Sequence, residues 1–441
     1  MKKFVTFWLA LSLFLPATIQ SVSADQLMDI TREAGYDVKE INRPKSSIIV
    51  DAGSGDVLWE DNADELRDPA SMSKLMTLFL VFKAIKEGKL SYDTVIQASA
   101  TDQAIAGIYE ISNNKIVAGV DYTVRELITM TVVPSSNATT VMLANYLSDG
   151  DADAWLDQMN QTAQELGMTN SQWNNASGAA AVSFKGYYRP LRYDIYSDNQ
   201  TTARDLAILG YHFVNSYPEI LSFTKEPVVT VKAGTPYEET FTTYNYSLPG
   251  AKYGLDGVDG LKTGSSPNGA FNYIATIKRG NQRLVEVIMG VGDWSDQDGE
   301  YYRHPFGNAL AEKIFADYSY QKVQEKGTFS LDGKMYRLSE DFYASVKKGQ
   351  EPKLFVKDGY LYADNGLTSL SSKISDGVKV EEGEESVLAT AKSVLEKPLN
   401  PASWLGFVFN SKVLLLLPVL VLVLIFYLEK KRGQKRQKEK E

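Results

Sequence analysis

Asp68-Pro69-Ala70-Ser71-Met72-Ser73-Lys74-Leu75-Met76-Thr77, running on through Leu78-Phe79-Leu80-Val81-Phe82, decides how this chain is read. The apolar run predicts a helix, with Ser71 in its first turn and Lys74 one turn on, on the same face. A hydroxyl and an amine then touch inside an apolar wall, which makes a serine nucleophilic without a histidine. The chain has two histidines, His212 and His304. Neither sits in a context that suggests a Ser-His-Asp arrangement.

Spacing alone is weak, because Ser222/Lys225, Ser319/Lys322 and Ser345/Lys348 repeat it. Context separates them. The segment after Ser71 is apolar all round, and such a helix belongs in the middle of a domain. Ser319 and Ser345 lead into Lys/Glu-rich or Gly-containing sequence, which predicts a surface.

Met1-Lys2-Lys3, an apolar stretch from Phe4 to Pro16, and Val22-Ser23-Ala24 together read as a secretory signal peptide cut after Ala24. The mature chain is then expected outside the cytoplasm. It contains no cysteine, so neither disulfides nor thiolate chemistry are available, and stability has to come from a buried core. At the other end, Val413 to Leu428 is apolar and is followed by Lys430, Lys431, Arg432, Lys435, Arg436, Lys438 and Lys440. At ~1.5 Å per residue this run reaches ~24 Å, a little short of a ~30 Å hydrocarbon core, with Phe407 to Phe409 or a snorkelling Lys412 available to make up the length and Trp404 and Tyr427 flanking it as interfacial anchors. The basic stop places the tail inside and the body outside. Net charge is −9 despite that tail, so the body is acidic and nucleic-acid binding is not expected.

Ser46 to Ala52 and Asp56 to Glu60, separated by Gly53-Ser54-Gly55, predict a β-hairpin. Further strands are expected at Val258 to Lys262, Asn272 to Lys278 and Leu284 to Val291. Helical patterns at Asn137 to Leu147, Ala154 to Leu166 and Thr202 to Phe213 lie between them. Strands from both ends with helices between imply an α+β domain whose mixed sheet, flanked by helices, is closed by its first and last segments. From Gly327 the pattern changes to short β-like pieces broken by Asp-Gly and Lys-Gly turns, a small all-β domain. The expected organisation is a signal peptide over residues 1–24, a catalytic domain over 25–322 and a small β-rich domain over 323–383. A linker with amphipathic spacing at 384–403, a transmembrane anchor at 404–428 and a basic cytoplasmic tail at 429–441 complete it.

Lys262-Thr263-Gly264-Ser265 closes a predicted strand. A cation and a hydroxyl there can hold a carboxylate, while Gly264 lets a substrate lie close to the backbone. Three Ser-x-Asn triplets compete for a third element: Ser112-Asn113-Asn114, Ser135-Ser136-Asn137 and Ser197-Asp198-Asn199. We select the second, because Val133-Pro134 precedes it and a helix follows, which puts both side chains at a helix start facing a cleft.

Ser71-x-x-Lys74, Ser135-x-Asn137 and Lys262-Thr263-Gly264, in this order, are the signature shared by penicillin-binding proteins and class A β-lactamases. From Ile48 to Ile314 the chain most resembles the low-molecular-mass penicillin-binding proteins of the DacA type, D-alanyl-D-alanine carboxypeptidases of serine peptidase family S11. Thr202-Ala203-Arg204-Asp205-Leu206-Ala207 and Gly257 to Gly264 add to the resemblance. In that family the Ser-x-Asn element follows the nucleophile at a similar interval, here 64 residues, which supports Ser135 over Ser197. Two features depart from the pattern: a longer Tyr- and Arg-rich segment from Ala179 to Gln200, and an anchor that spans the membrane where many relatives use a surface helix.

The resemblance implies a serine β-lactamase/penicillin-binding-protein-like fold and an enzyme that removes the terminal D-alanine from peptidoglycan stem peptides. Ser71 is then the nucleophile, with Lys74 as general base, its amine kept neutral by burial beside Lys262. Ser135 relays a proton to the leaving amine, and Asn137 holds the peptide and positions Lys74. The backbone N–H groups of Ser71 and Ser265 form the oxyanion hole. Lys262, Thr263, Gly264 and Arg303 bind the substrate, and no metal or organic cofactor is needed. Expected partners are stem peptides ending in D-Ala-D-Ala, β-lactam antibiotics and a cell membrane, with the catalytic domain extracellular on a Gram-positive surface. A class A-like β-lactamase is the nearest alternative, but no glutamate-bearing deacylation loop is evident between Asn137 and Lys262. A non-catalytic penicillin or muropeptide receptor would have no need of both Ser71 and Lys74.

Overall fold

The computed structural model describes residues 25–383. Its centre is a six-stranded sheet in the order Thr368–Ser369, Asp56–Asp61, Ser46–Asp51, Gln282–Val291, Ala270–Arg279, Val258–Ser266. Strands from the two ends of the domain meet where Ile48 faces Val287 and Val50 faces Val285. Side chains of the two meeting strands alternate between the faces of the sheet. Ile48, Val50, Val285 and Val287 enter one apolar cluster, while Ile49, Leu284 and Ile288 enter another on the opposite face. The central strands are therefore apolar on both faces and need a helical layer on each.

The sheet is antiparallel at each of these pairings and not mixed, a correction to the expectation from sequence. The turns at residues 52–55 and at Gly280-Asn281 are too short to join anything but antiparallel neighbours. The long helical excursion between them returns the chain in the sense that keeps Ser46–Asp51 antiparallel to Gln282–Val291.

One face is covered by Gln26–Glu33 and Gly299–Asp317, through Leu27, Met28, Phe306 and Leu310. The other carries the helix Lys74–Lys86 inside a shell that includes Asn137–Leu147, Ala152–Leu166 and Ala203–Ser216. Every residue from Lys74 to Phe82 is buried, so this helix is walled on all sides. Ser71 lies just ahead of it, in a 3₁₀ turn over Ala70–Ser73. Phe82 meets Phe213 and Phe223 edge-on, with ring centroids 5.4 and 5.9 Å apart.

After Gly299–Asp317 the chain enters β structure at once. Tyr318–Gln324 runs across the expected boundary at 322 and pairs antiparallel with Phe342–Lys347. Lys353–Lys357 and Tyr360–Asp364 form a further hairpin, and Thr368–Ser369 joins the edge of the main sheet beside Asp56 and Val57. Thr328–Arg337 contributes to a second compact unit as two short strands around Asp332-Gly333. Ser345, expected at a surface, is buried, with its Oγ 3.0 Å from that of Ser54. Ser319 and Ser345 lie on strands, where residues three apart point to opposite faces, so neither can pair with its lysine as Ser71 does. No helix among the described residues is long and apolar enough to cross a membrane. The signal peptide, the amphipathic linker, the anchor and the basic tail lie outside the described residues.

Phe82→Ala removes the ring at the centre of the aromatic cluster. We expect it to lower the unfolding free energy by about 3–5 kcal/mol, read as a shifted urea midpoint at unchanged slope.

Candidate active site

The turn that presents Ser71 is held on two sides. Asp68 Oδ1 accepts the N–H of Ala70 at 2.8 Å, and Ala70 takes a positive φ of 49°. Ser266 Oγ donates to the other Asp68 oxygen, tying the turn to the end of the strand Val258–Ser266. Gly264 of that strand has no room for a side chain. A Cβ there would stand 2.5 Å from Pro69 O, 2.9 Å from Met72 N and 3.1 Å from Ser71 N. Gly178 closes the other side at φ +93°, where a Cβ would come within 1.9 Å of Ala70 O.

Lys74 is fully buried, and its Nζ has three partners: Ser71 Oγ at 3.0 Å, Asn137 Oδ1 at 2.9 Å and Ser177 O at 2.9 Å. Burial drives its pKa well below the ordinary lysine value, and nearby Lys262 pushes it further the same way. A neutral amine has two hydrogens and one lone pair. Asn137 and Ser177 offer only acceptors, so they take the two hydrogens and leave the lone pair facing the Ser71 hydroxyl. Asn137 is itself fixed, because its backbone N–H and its Nδ2 both donate to Ser112 O at 2.9 Å.

Ser135 has a positive φ of 61°, and its buried Oγ has no hydrogen-bond partner among the described residues. Ser136, not Ser135, caps the helix Asn137–Leu147 by accepting from Thr139 N. The Ser135 hydroxyl is therefore uncommitted. Ser197, in the rejected triplet, is occupied with Asp194 at 2.7 Å.

Lys262 is buried, and its Nζ donates to Thr263 O at 2.9 Å. Burial, and then the charge of Arg303, lower its pKa to about 7. Arg303 is buried, and its Nη1 donates to Ser265 Oγ at 3.0 Å and to Asn272 O at 3.3 Å. Burial lowers its pKa to about 10. The structure thus brings Ser71, Lys74, Asn137, Lys262, Thr263, Gly264, Ser265 and Arg303 to one end of the sheet. His304 lies behind Arg303, its Nε2 3.4 Å from Arg303 Nε, and Ser71 Oγ bonds to Lys74 rather than to either histidine. Among the described residues no group of three His, Asp or Glu side chains is placed to hold a metal ion. Sequence reasoning missed the Ser177 carbonyl, for which no signal exists because every residue carries that group.

A family model described as D-alanyl-D-alanine carboxypeptidase matches residues 35–293, more than half of the chain. A second model, for a domain of unknown function, matches residues 320–381. The D-alanyl-D-alanine carboxypeptidase DacF of Bacillus subtilis is 25% identical over 353 residues, 74% of this chain and 84% of that protein. Penicillin-binding protein 3 of Streptococcus pneumoniae, described as a peptidoglycan synthesis regulatory factor, has the same fold. Its TM-score is 0.68 at 23% identity, over 77% of this chain and 98% of that one. Penicillin-binding protein D2 of Listeria monocytogenes, solved in a cefotaxime-bound form, aligns with a TM-score of 0.50 at 26% identity, over 64% and 99% of the two chains.

Gly264→Ala would set a methyl group against backbone atoms of the Ser71 turn that cannot rotate away. A loss of about 1–3 kcal/mol in unfolding free energy is expected from such overpacking, measurable by urea titration.

Proposed function

We infer the function from one premise, that the chain belongs to the peptidase S11 family of D-alanyl-D-alanine carboxypeptidases: it is a serine hydrolase that removes the terminal D-alanine from peptidoglycan stem peptides and is acylated by β-lactams. The observation that carries the reading is the Lys74 amine, stripped of water and aimed at Ser71 Oγ from 3.0 Å. In the mechanism we propose, Lys74 takes the Ser71 proton as Oγ attacks the penultimate carbonyl carbon. The backbone N–H groups of Ser71 and Ser265 receive the developing oxyanion. Ser135 relays the proton now on Lys74 to the departing D-alanine amine as the C–N bond breaks, which leaves an ester on Ser71 and Lys74 neutral again. Water then cleaves the ester, again with Lys74 as base. Lys262, Thr263 and Arg303 bind the terminal carboxylate of the substrate and Gly264 lets the peptide lie along the strand edge. No cofactor enters these steps.

The β-lactamase alternative has less support. The three groups around Lys74 Nζ are a hydroxyl, an amide oxygen and a backbone carbonyl, with no carboxylate among them. For the chain ends we propose an exported catalytic body, tethered to the outer face of a cell membrane by residues 404–428, with residues 429–441 inside. The boundaries proposed from sequence for the catalytic and β-rich parts, 25–322 and 323–383, go with this arrangement.

A soluble form incubated with a D-Ala-D-Ala-ended peptide should release D-alanine. Penicillin should leave a long-lived ester on Ser71 alone, located by mass spectrometry of a digest. Rapid penicillin turnover without an adduct, or a label on another serine, would overturn the assignment. Ser135→Ala should slow acylation by about 10²–10⁴, the usual worth of a positioned proton donor.

The pH dependence has a definite sign. Lys74 works as the free amine, and burial depresses its pKa. Acylation is therefore retained above that depressed pKa and lost as pH falls through it. A rate of penicillin acylation that rises on acidification would contradict the role given to Lys74.

A further inference from the structure

The triplet Ser197-Asp198-Asn199, set aside as the Ser-x-Asn element, ends on a residue that the site uses in another way. Asn199 is fully buried. Its Nδ2 donates to Ser73 Oγ at 2.9 Å, to Asn175 O at 3.0 Å and to Asn175 Oδ1 at 3.2 Å. Its Oδ1 accepts the N–H groups of Asn174 at 2.7 Å and Asn175 at 3.0 Å. One planar amide thus ties the turn between nucleophile and base to the start of the segment 174–178. Few side chains present a donor and an acceptor in this way.

The tie is passed on. Asn175 Oδ1 accepts from Ser177 N at 3.2 Å and from Gly178 N at 2.6 Å, folding the chain back on itself. Thr77 Oγ1 holds the intervening Ala176 carbonyl at 2.8 Å. The result is a Ser177 carbonyl that faces inward, 2.9 Å from Lys74 Nζ. This carbonyl is one of the two acceptors that decide where the lone pair of a neutral Lys74 points. If it swings away, the amine is free to rotate and to point a hydrogen at Ser71 in place of its lone pair.

We propose that Asn199 is a positioning residue for acylation, fixing the Ser177 carbonyl against Lys74 Nζ so that the amine's lone pair is held on the Ser71 hydroxyl and water is kept from the amine. The proposal rests on the reading of Lys74 as the base. Asn199 touches no reacting atom, and its effect runs through the 174–178 segment. Ser73 shares it, as the anchor of Asn199 on the nucleophile turn.

The test compares the intact enzyme with Asn199→Ala, Ser73→Ala and, as a control outside the network, Ser197→Ala. The second-order rate of acylation by a fluorescent penicillin is followed across the range in which lysine amines titrate, together with the melting temperature. Asn199→Ala should acylate about 10–100-fold more slowly, the scale on which small misplacements of reacting groups act. Its acid limb should move to higher pH, because desolvation is the main cause of the depressed Lys74 pKa and admitted water relieves it. Ser73→Ala, which leaves Asn199 its contacts to Asn174 and Asn175, should shift rate and limb the same way by less, and keeps the test open if Asn199→Ala fails to fold. Ser197→Ala should match the parent. Wild-type rates in Asn199→Ala, or slower acylation with the acid limb unmoved in either variant, would overturn the proposal. A parent enzyme that forms no adduct at Ser71 would instead overturn the reading of Lys74 beneath it.

Discussion

Keeping one amine dry organises this end of the molecule. An ammonium ion removed from water costs several kcal/mol, and a lysine without a counter-charge meets that cost by giving up its proton. Lys74 is in that position, since its partners are neutral oxygens. The condition reaches far into the fold. A lysine at the head of a helix stays dry only if the helix is walled all round, and that requires apolar residues from Leu75 to Phe82, packed helices on every open side and a sheet apolar on both faces. The long hydrophobic run and the chemistry at its start are one feature seen at two scales.

The neighbouring cations extend the argument. Lys262 and Arg303 are buried, and the hydrogen bonds that hold them go to backbone carbonyls and to Ser265 Oγ. Repulsion between these two groups in a small volume is relieved when an anion enters. A substrate carboxylate bound as proposed would do this and restore charge to Lys262, while Lys74 has no carboxylate among its own partners. Under the proposed binding mode, a peptide whose terminal carboxylate is blocked would leave these buried charges uncompensated.

Much of this was legible in the sequence, for reasons that differ by element. The helix Asn137–Leu147 was read with its final bounds, and the main strands were read within a few residues, because long apolar runs allow few alternatives. The sense of the sheet was not, because strand direction depends on how a long excursion returns and no local pattern encodes that. Ser345 looked like a surface residue because Lys347 and Lys348 follow it. Alternation along a strand lets a buried serine sit beside an exposed lysine, a distinction that a helical spacing rule does not make. At the site, Ser71, Lys74 and the Lys262 strand were visible as motifs, and Arg303 as a charge in the right part of the chain. Asn199 was noticed only as the last residue of the Ser197 triplet, which was set aside in favour of Ser135-Ser136-Asn137, whereas its hydrogen bonds hold a loop.

The walls formed by Gly178 and Gly264 bear on how the cleft can change over time. Both sides of the nucleophile turn are bare backbone, and neither can be thickened without displacing Ser71 itself. Variation that narrows what the cleft admits is therefore closed off beside the nucleophile turn and left to positions farther out. A lineage under pressure to exclude a bulky inhibitor while keeping its natural peptide would have to alter the approach to the serine, because the pocket around it has no spare atoms to trade.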